Sequence, residues 1–204
     1  KTTPVIDFEK NESLKGLDYL DTIYHAIVNE HPIQLKYRSF KARSANNFIF
    51  YPYLLKEYRN RWFVYGVRGN GRILQNLALD RIQSLEVLPQ EHYIKNTFFD
   101  PNTFFDDLVG VTKNTGSVAE KVGFKVAAAE APYIITKPIH RSQQVVERLA
   151  DGSVILEIEV VINHELEQVF FGYAEGIHVL YPKTLVELMG RKLKKAAEQY
   201  THSK

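Results

Sequence analysis

Hydrophobic residues near the start of the chain recur at intervals of three or four positions. Leu20, Ile23 and Ile27 follow this spacing, which places them on one face of a helix. The pair His31-Pro32 ends the pattern, because a proline cannot continue a helix. The sequence therefore predicts an amphipathic helix over residues 17–30.

Five short runs rich in aromatic and β-branched residues follow this helix. Polar turns separate them, including Asn70-Gly71, a pair that favours a type I′ hairpin. Short strands joined by tight turns are typical of a small closed barrel of the Sm or SH3 kind. We expect strands at residues 33–40, 47–55, 61–68, 72–79 and 82–88. They would form a five-stranded β-barrel with the helix packed against one end.

The second half of the chain has a different order of elements. We expect strands at residues 120–129, 143–148, 154–162 and 177–180, and helices at residues 131–137, 164–173 and 182–200. This order predicts a ferredoxin-like (split βαβ) domain, so the fold class is α+β. The predicted organisation is an N-terminal extension (1–16), a barrel domain (17–95), an aromatic connector (96–117) and a C-terminal domain (118–204).

The positive charge of the chain is concentrated in the predicted barrel. The formal net charge is only +2, yet ten basic and two acidic residues lie between His31 and Ile82. Such a surplus attracts phosphate-bearing partners. On the first strand, alternation separates Lys36 and Arg38 from the opposite face. These charges either project into solvent or, together with the neighbouring tyrosines, bind a nucleic acid or nucleotide.

Several classes of function find no support in the sequence. The chain has no cysteine and no apolar run of roughly 18 residues, so we expect neither disulfides nor a membrane anchor. We expect a soluble, cytoplasmic protein. The seven histidines lack metal-binding spacing, and His140 and Ser142 lack a nucleophile elbow. We therefore expect no enzyme, no metal and no cofactor.

Five motifs occur in order within the basic half of the chain. They are His31-Pro32, Tyr37-Arg38-Ser39-Phe40, Tyr51-Pro52-Tyr53-Leu54-Leu55-Lys56, Asn60-Arg61-Trp62-Phe63-Val64 and Leu77-Ala78-Leu79-Asp80-Arg81-Ile82. In order and spacing they resemble the WYL family, with Trp62-Phe63-Val64 where the family has Trp-Tyr-Leu. The C-terminal half is similar to the accessory domain of that family, so the resemblance covers roughly residues 17–200.

The resemblance implies the sensor portion of a bacterial transcriptional regulator with a Sm-like ligand-binding domain. Its effector would be single-stranded nucleic acid, a nucleotide or another anion. Operator DNA would be bound by an N-terminal winged helix-turn-helix, for which no pattern precedes Leu17. We expect a homodimer that uses the apolar face of the last helix, formed by Leu185, Leu188, Met189 and Leu193. The alternative is an interaction or dimerisation module without a ligand of its own.

The resemblance and the charge pattern together predict a ligand-binding set. It comprises Tyr37, Ser39, Tyr53, Arg61, Trp62, Arg72 and Arg81. Two departures from the family pattern are Phe63, which lacks the hydroxyl of tyrosine, and Ala78, where many members carry arginine. For the aromatic members of the set, packing in the core remains an alternative role. For Arg81, the alternative is an ion pair with Asp80.

Overall fold

The computed structural model describes residues 5, 15–69, 71 and 73–201. The chain divides into two compact units, Lys1–Pro101 and Asn102–Lys204. Each unit contains one antiparallel sheet, and helices accompany both sheets. The expected mixture of helices and antiparallel strands is confirmed. The predicted N-terminal extension lies almost entirely outside the described residues.

The first unit begins with a 3₁₀ turn, Leu17–Tyr19, that leads directly into helix α1, Leu20–Val28. Its strands are β1 (Ile33–Tyr37), β2 (Asn46–Tyr58), β3 (Arg61–Arg68), β4 (Leu74–Ala78) and β5 (Ile82–Val87). They form one sheet in the order β4-β3-β2-β1-β5. The core contains Ile23 of α1 with Ile33, Leu35 and Phe50 of the sheet, all fully buried.

The predicted closed barrel is wrong. β4 and β5 are the two ends of the sheet, and in the described residues no pairing joins them. The reason is a 3₁₀ turn, Leu79–Arg81, which follows β4 at once and redirects the chain. β5 therefore pairs with β1, in antiparallel register from Ile33 opposite Val87 to Tyr37 opposite Ile82. The Sm-like and SH3-like assignments stay predictions.

Strand β2 is longer than expected and contains an irregularity. It continues to Tyr58, and the next two residues, Arg59 and Asn60, have left-handed φ values of 50° and 61°. Two such residues in succession are what a type I′ hairpin requires. The register shifts between Pro52 and Leu54, where proline has no N–H to donate to the neighbouring strand. Asn70 of the predicted Asn70-Gly71 turn lies outside the described residues.

The second unit contains four strands and three helices in its described part. They are β6 (Glu120–Val126), α2 (Ala131–Thr136), β7 (Gln144–Arg148), β8 (Val154–Val160), α3 (His164–Gly172), β9 (Ile177–Tyr181) and α4 (Lys183–Thr201). The strand order is β7-β8-β6-β9. Leu185 and Met189 of α4 are buried against this core, whereas Leu193 is 41% exposed. Leu188 is partly buried against the same core, so three of the four residues expected to form a dimer interface pack within their own unit.

Within residues 15–69 and 73–201, no helix combines enough length with enough apolar character to cross a bilayer.

Candidate ligand-binding site

The end of β1 lies against the turn that connects β4 to β5. Along β1, Leu35 and Tyr37 are buried while Lys36 and Arg38 are exposed, as the predicted alternation requires. The backbone N–H of Arg38 donates to the carbonyl oxygen of Arg81 at 3.1 Å. This hydrogen bond joins two segments that are more than forty residues apart in the sequence.

These two segments enclose an open cavity of about 320 Å³. It is lined by Arg38, Ser39, Phe40, Asp80, Arg81, Ile82 and Gln83. Ser39 and Arg81 of the predicted set therefore meet at one site. Arg38 and Phe40 were not in that set, although both belong to the Tyr37-Arg38-Ser39-Phe40 motif that could have indicated them.

Arg81 is held from two sides. Its guanidinium carbon lies 4.4 Å from the ring centroid of Phe40. The guanidinium also donates a hydrogen bond to the hydroxyl of Tyr37. Burial raises the pKa of this hydroxyl above its usual 10.0, while the charge and hydrogen bond of Arg81 oppose the rise. Phe40 is 73% exposed, so much of its ring stays open to a ligand.

Asp80 lies between two arginines. Its Oδ2 is 3.2 Å from Nε of Arg61, and its Oδ1 is 3.8 Å from Nε of Arg81. The second distance is too long for a hydrogen bond, and both atoms are buried without a hydrogen-bond partner in the described part of the chain. Arg61 itself does not line the cavity. It contributes to the site through Asp80, whose negative charge it shares with Arg81.

Two of the three predicted aromatic ligand residues, Tyr53 and Trp62, lie elsewhere in the first unit. The ring of Tyr53 stacks on Phe98, with centroids 6.1 Å apart and planes at 18°, and meets Tyr93 edge-on. Burial, followed by the neighbouring Tyr51, raises the pKa of Tyr53 to about 12. Its buried hydroxyl has no hydrogen-bond partner among the described residues.

The half-buried Trp62 packs against the core of the first unit. Neither Trp62 nor Tyr53 lines the cavity, which matches the packing roles left open for them. Arg72 lies outside the described residues, so its place in the set stays a prediction.

The second unit has a cavity of its own, of about 470 Å³, which includes His140 and Ser142. Nδ1 of His140 is 2.7 Å from Oγ of Ser142, but that hydroxyl also accepts the backbone N–H of Glu159 at 2.9 Å. Burial lowers the pKa of His140, while a hydrogen bond with the backbone of Asp106 opposes the shift. These contacts tie the segment before β7 to the end of β8. Across the described residues, no three histidine, aspartate or glutamate side chains are grouped as metal ligands would be.

Two family models match the chain, one in each unit. A model described as WYL domain matches residues 18–87, and one described as WCX domain matches residues 119–197. The chain therefore contains a WYL domain followed by a WCX domain. The WYL domain contains the complete five-stranded sheet and the cavity, and the WCX domain contains the four-stranded sheet. The resemblance seen in the sequence, including that of the C-terminal accessory domain, is confirmed.

Two solved structures resemble this WYL–WCX chain. Proteasome accessory factor B/C (PafBC) of Arthrobacter aurescens matches with a TM-score of 0.40 and 16% identity, over 90% of this chain and 28% of that chain. A CRISPR Cas-related protein matches with a TM-score of 0.51 and 12% identity, over 89% of this chain and 50% of that one. The WYL–WCX chain thus spans half or less of either structure, and the second likeness concerns the fold alone. No curated protein matches the sequence.

Proposed function

We propose that the WYL domain is the effector-sensing part of a transcriptional regulator, and that its effector is a single-stranded nucleic acid or a nucleotide. The observation that carries the proposal is the cavity beside β1, where Arg38 and Arg81 adjoin the exposed ring of Phe40. Arginine suits phosphate because its planar fork offers several donors, and an exposed aromatic ring offers a base a surface for stacking.

The wider surroundings of the cavity favour the same class of ligand. Lys36 and Lys41 are exposed on or just after β1, on the domain that carries the positive surplus. A potential of this sign concentrates anionic ligands near the cavity and accelerates their association. We assign ligand contact to Ser39 and Arg81, and a supporting role to Tyr37 and to Arg61 through Asp80.

The rest of the proposal concerns the regulator to which these domains would belong. Operator DNA would be bound by a separate winged helix-turn-helix domain, and the protein would work in the cytoplasm, where the bacterial chromosome lies. We propose no catalytic step and no cofactor. For the WCX domain we infer a ferredoxin-like arrangement, because its β-α-β-β-α-β order and its β7-β8-β6-β9 sheet fit a split βαβ unit.

The substitution Arg81→Ala tests the binding proposal. Loss of a charge-assisted contact to phosphate costs about 1.5 to 3 kcal/mol, so the Kd for a short fluorescein-labelled oligothymidylate should rise roughly ten- to hundredfold. Fluorescence anisotropy measures the Kd, and a thermal melt checks that the fold persists. Arg43→Ala is the matched control, because it removes the same charge from an exposed position that does not line the cavity. Equal affinities of Arg81→Ala and wild type would contradict the proposed site.

A salt titration separates this proposal from the alternative, a dimerisation module without a ligand. Nucleic-acid binding should weaken linearly in a plot of log K against log salt, whereas an apolar dimer interface responds little. Light scattering at the same salt concentrations reports the mass of the protein. A dimer of constant mass that binds no oligonucleotide or nucleotide at low salt would favour the dimerisation module.

A further inference from the structure

The charges around the cavity of the WYL domain do not balance. Arg38 and Arg81 line it, and Arg61 joins the same group through Asp80. Asp80 is the one carboxylate among the lining residues, and its two oxygens face Arg61 at 3.2 Å and Arg81 at 3.8 Å. Within this group, three guanidinium groups and one carboxylate give a net charge of +2. A ligand group that carries two negative charges would restore neutrality.

Contacts within the protein hold both lining arginines in place. Nε of Arg38 donates to the carbonyl oxygen of Ala42 at 3.4 Å. Arg81 packs on the ring of Phe40 and donates to the hydroxyl of Tyr37. Side chains that are already positioned lose less conformational freedom when a ligand binds. The arrangement therefore favours a compact anion that contacts both arginines at once.

The size of the cavity limits how much of a ligand it can enclose. Its volume of about 320 Å³ is at the lower end of the range of roughly 300 to 1,000 Å³ found for ligand pockets. Such a volume accommodates one nucleotide-sized group rather than several residues of a strand. An internal phosphodiester has one negative charge and a chain leaving on both sides. A terminal phosphate has about two charges near neutral pH and a chain leaving on one side only.

We propose that the cavity recognises a terminal phosphomonoester, at the end of a single strand or on a mononucleotide, in preference to an internal phosphodiester. This inference rests on the proposed function and makes it more specific. Arg38 and Arg81 would contact the phosphate oxygens, Ser39 would donate its hydroxyl, and the terminal base would stack on Phe40.

The test uses oligonucleotides of one sequence that differ only at the end. In one set the label is at the 3′ end and the 5′ end carries a hydroxyl, a methyl phosphate or a phosphate. In the second set the label and the variable group exchange ends. We expect the free phosphate to bind roughly tenfold more tightly than the hydroxyl in one of the sets, because it adds a charge-assisted contact. The methyl phosphate, with a single charge, should bind much less tightly than the free phosphate.

Two variants locate the preference within the domain. Arg38→Gln should reduce the ratio of the two affinities, phosphate over hydroxyl, to near one. Arg43→Gln, which removes an exposed arginine outside the cavity, should leave this ratio unchanged. Thermal melts of both variants check that the fold persists, and an unchanged ratio in Arg38→Gln would contradict the assignment of the phosphate to this cavity.

Competition with adenosine monophosphate distinguishes the two sources of the phosphate. Displacement at concentrations close to those needed for the phosphorylated oligonucleotide points to a free nucleotide, whereas much weaker displacement points to a strand end. If wild type binds every oligonucleotide of both sets equally, the terminal-phosphate proposal fails and the proposed function stands. If it binds neither an oligonucleotide nor the mononucleotide, both fail.

Discussion

Replacing Gly66 by alanine should destabilise the WYL domain severely. Gly66 lies in β3 opposite Pro52 of β2, where the two backbones are very close. A Cβ atom at this position would be 2.1 Å from the carbonyl oxygen of Tyr51 and 2.6 Å from Cε1 of Phe50. Phe50 is fully buried and Tyr51 belongs to the β2 backbone, so neither can move aside without displacing the strand or the core.

The size of the effect follows from these contacts. Overpacking of a core costs about 1 to 3 kcal/mol, and more when the backbone must shift. We expect about 3 kcal/mol for Gly66→Ala, because one of the two atoms in conflict is a backbone oxygen. For a unit of this size, that loss should lower the Tm by at least about 10 °C.

The assay uses the only tryptophan of the chain, Trp62, which lies on the same strand as Gly66. Its fluorescence during urea unfolding reports the stability of the first unit. Gly190→Ala is the control, because a Cβ there meets no atom within 4 Å and the residue lies inside α4. At this exposed position of the helix, alanine should increase the free energy of unfolding by up to about 1 kcal/mol, as measured by circular dichroism. A Gly66→Ala midpoint equal to that of wild type would refute the packing argument.

Two further predictions concern the WCX domain. Burial lowers the pKa of His140 below its usual 6.5, so the unfolded chain takes up the proton first as pH falls. The contribution of His140 to stability should therefore decrease as pH falls from 6.5 and stay constant above neutrality. Urea midpoints across this range should show the loss in wild type and a smaller loss in His140→Gln. Gly123→Ala should lower the free energy of unfolding by about 1 to 3 kcal/mol. The new Cβ would be 2.1 Å from the ring of Tyr181 and would displace the Tyr181 hydroxyl from its hydrogen bond to Glu157. The same substitution in a Tyr181→Ala background should cost much less, and equal costs in both backgrounds would contradict this explanation.

The sequence predicted the helices and strands well because their patterns are local. Alternation along β1 placed Leu35 and Tyr37 on the face opposite Lys36 and Arg38, and the structure buries both residues. The three- and four-residue spacing identified α1. The end of β2 was misplaced because the turn depends on left-handed φ values at Arg59 and Asn60, of which only the asparagine is a common sign. The prediction of a closed barrel was wrong because the number of strands does not determine which edges of the sheet pair.

The candidate site could be predicted only in part, for a related reason. The cavity forms where β1 ends beside the turn after β4, and the pairing of β5 with β1 brings Ser39 near Arg81. That pairing is a long-range feature which a single sequence does not reveal. Tyr53 belongs to a recognisable motif, but its contacts with Phe98 depend on a later segment that folds back over β2.

That returning segment determines where the WYL domain can be cut. The family match ends at residue 87, yet Tyr93 donates a hydrogen bond to the carbonyl oxygen of Pro52, and Phe98 covers the ring of Tyr53. A protein shortened to the matched residues would expose an aromatic surface on β2 and lose that hydrogen bond. A version that extends to Pro101, where the first compact unit ends, keeps these contacts. Engineers who transplant the WYL domain into another protein should therefore move residues 15–101 together.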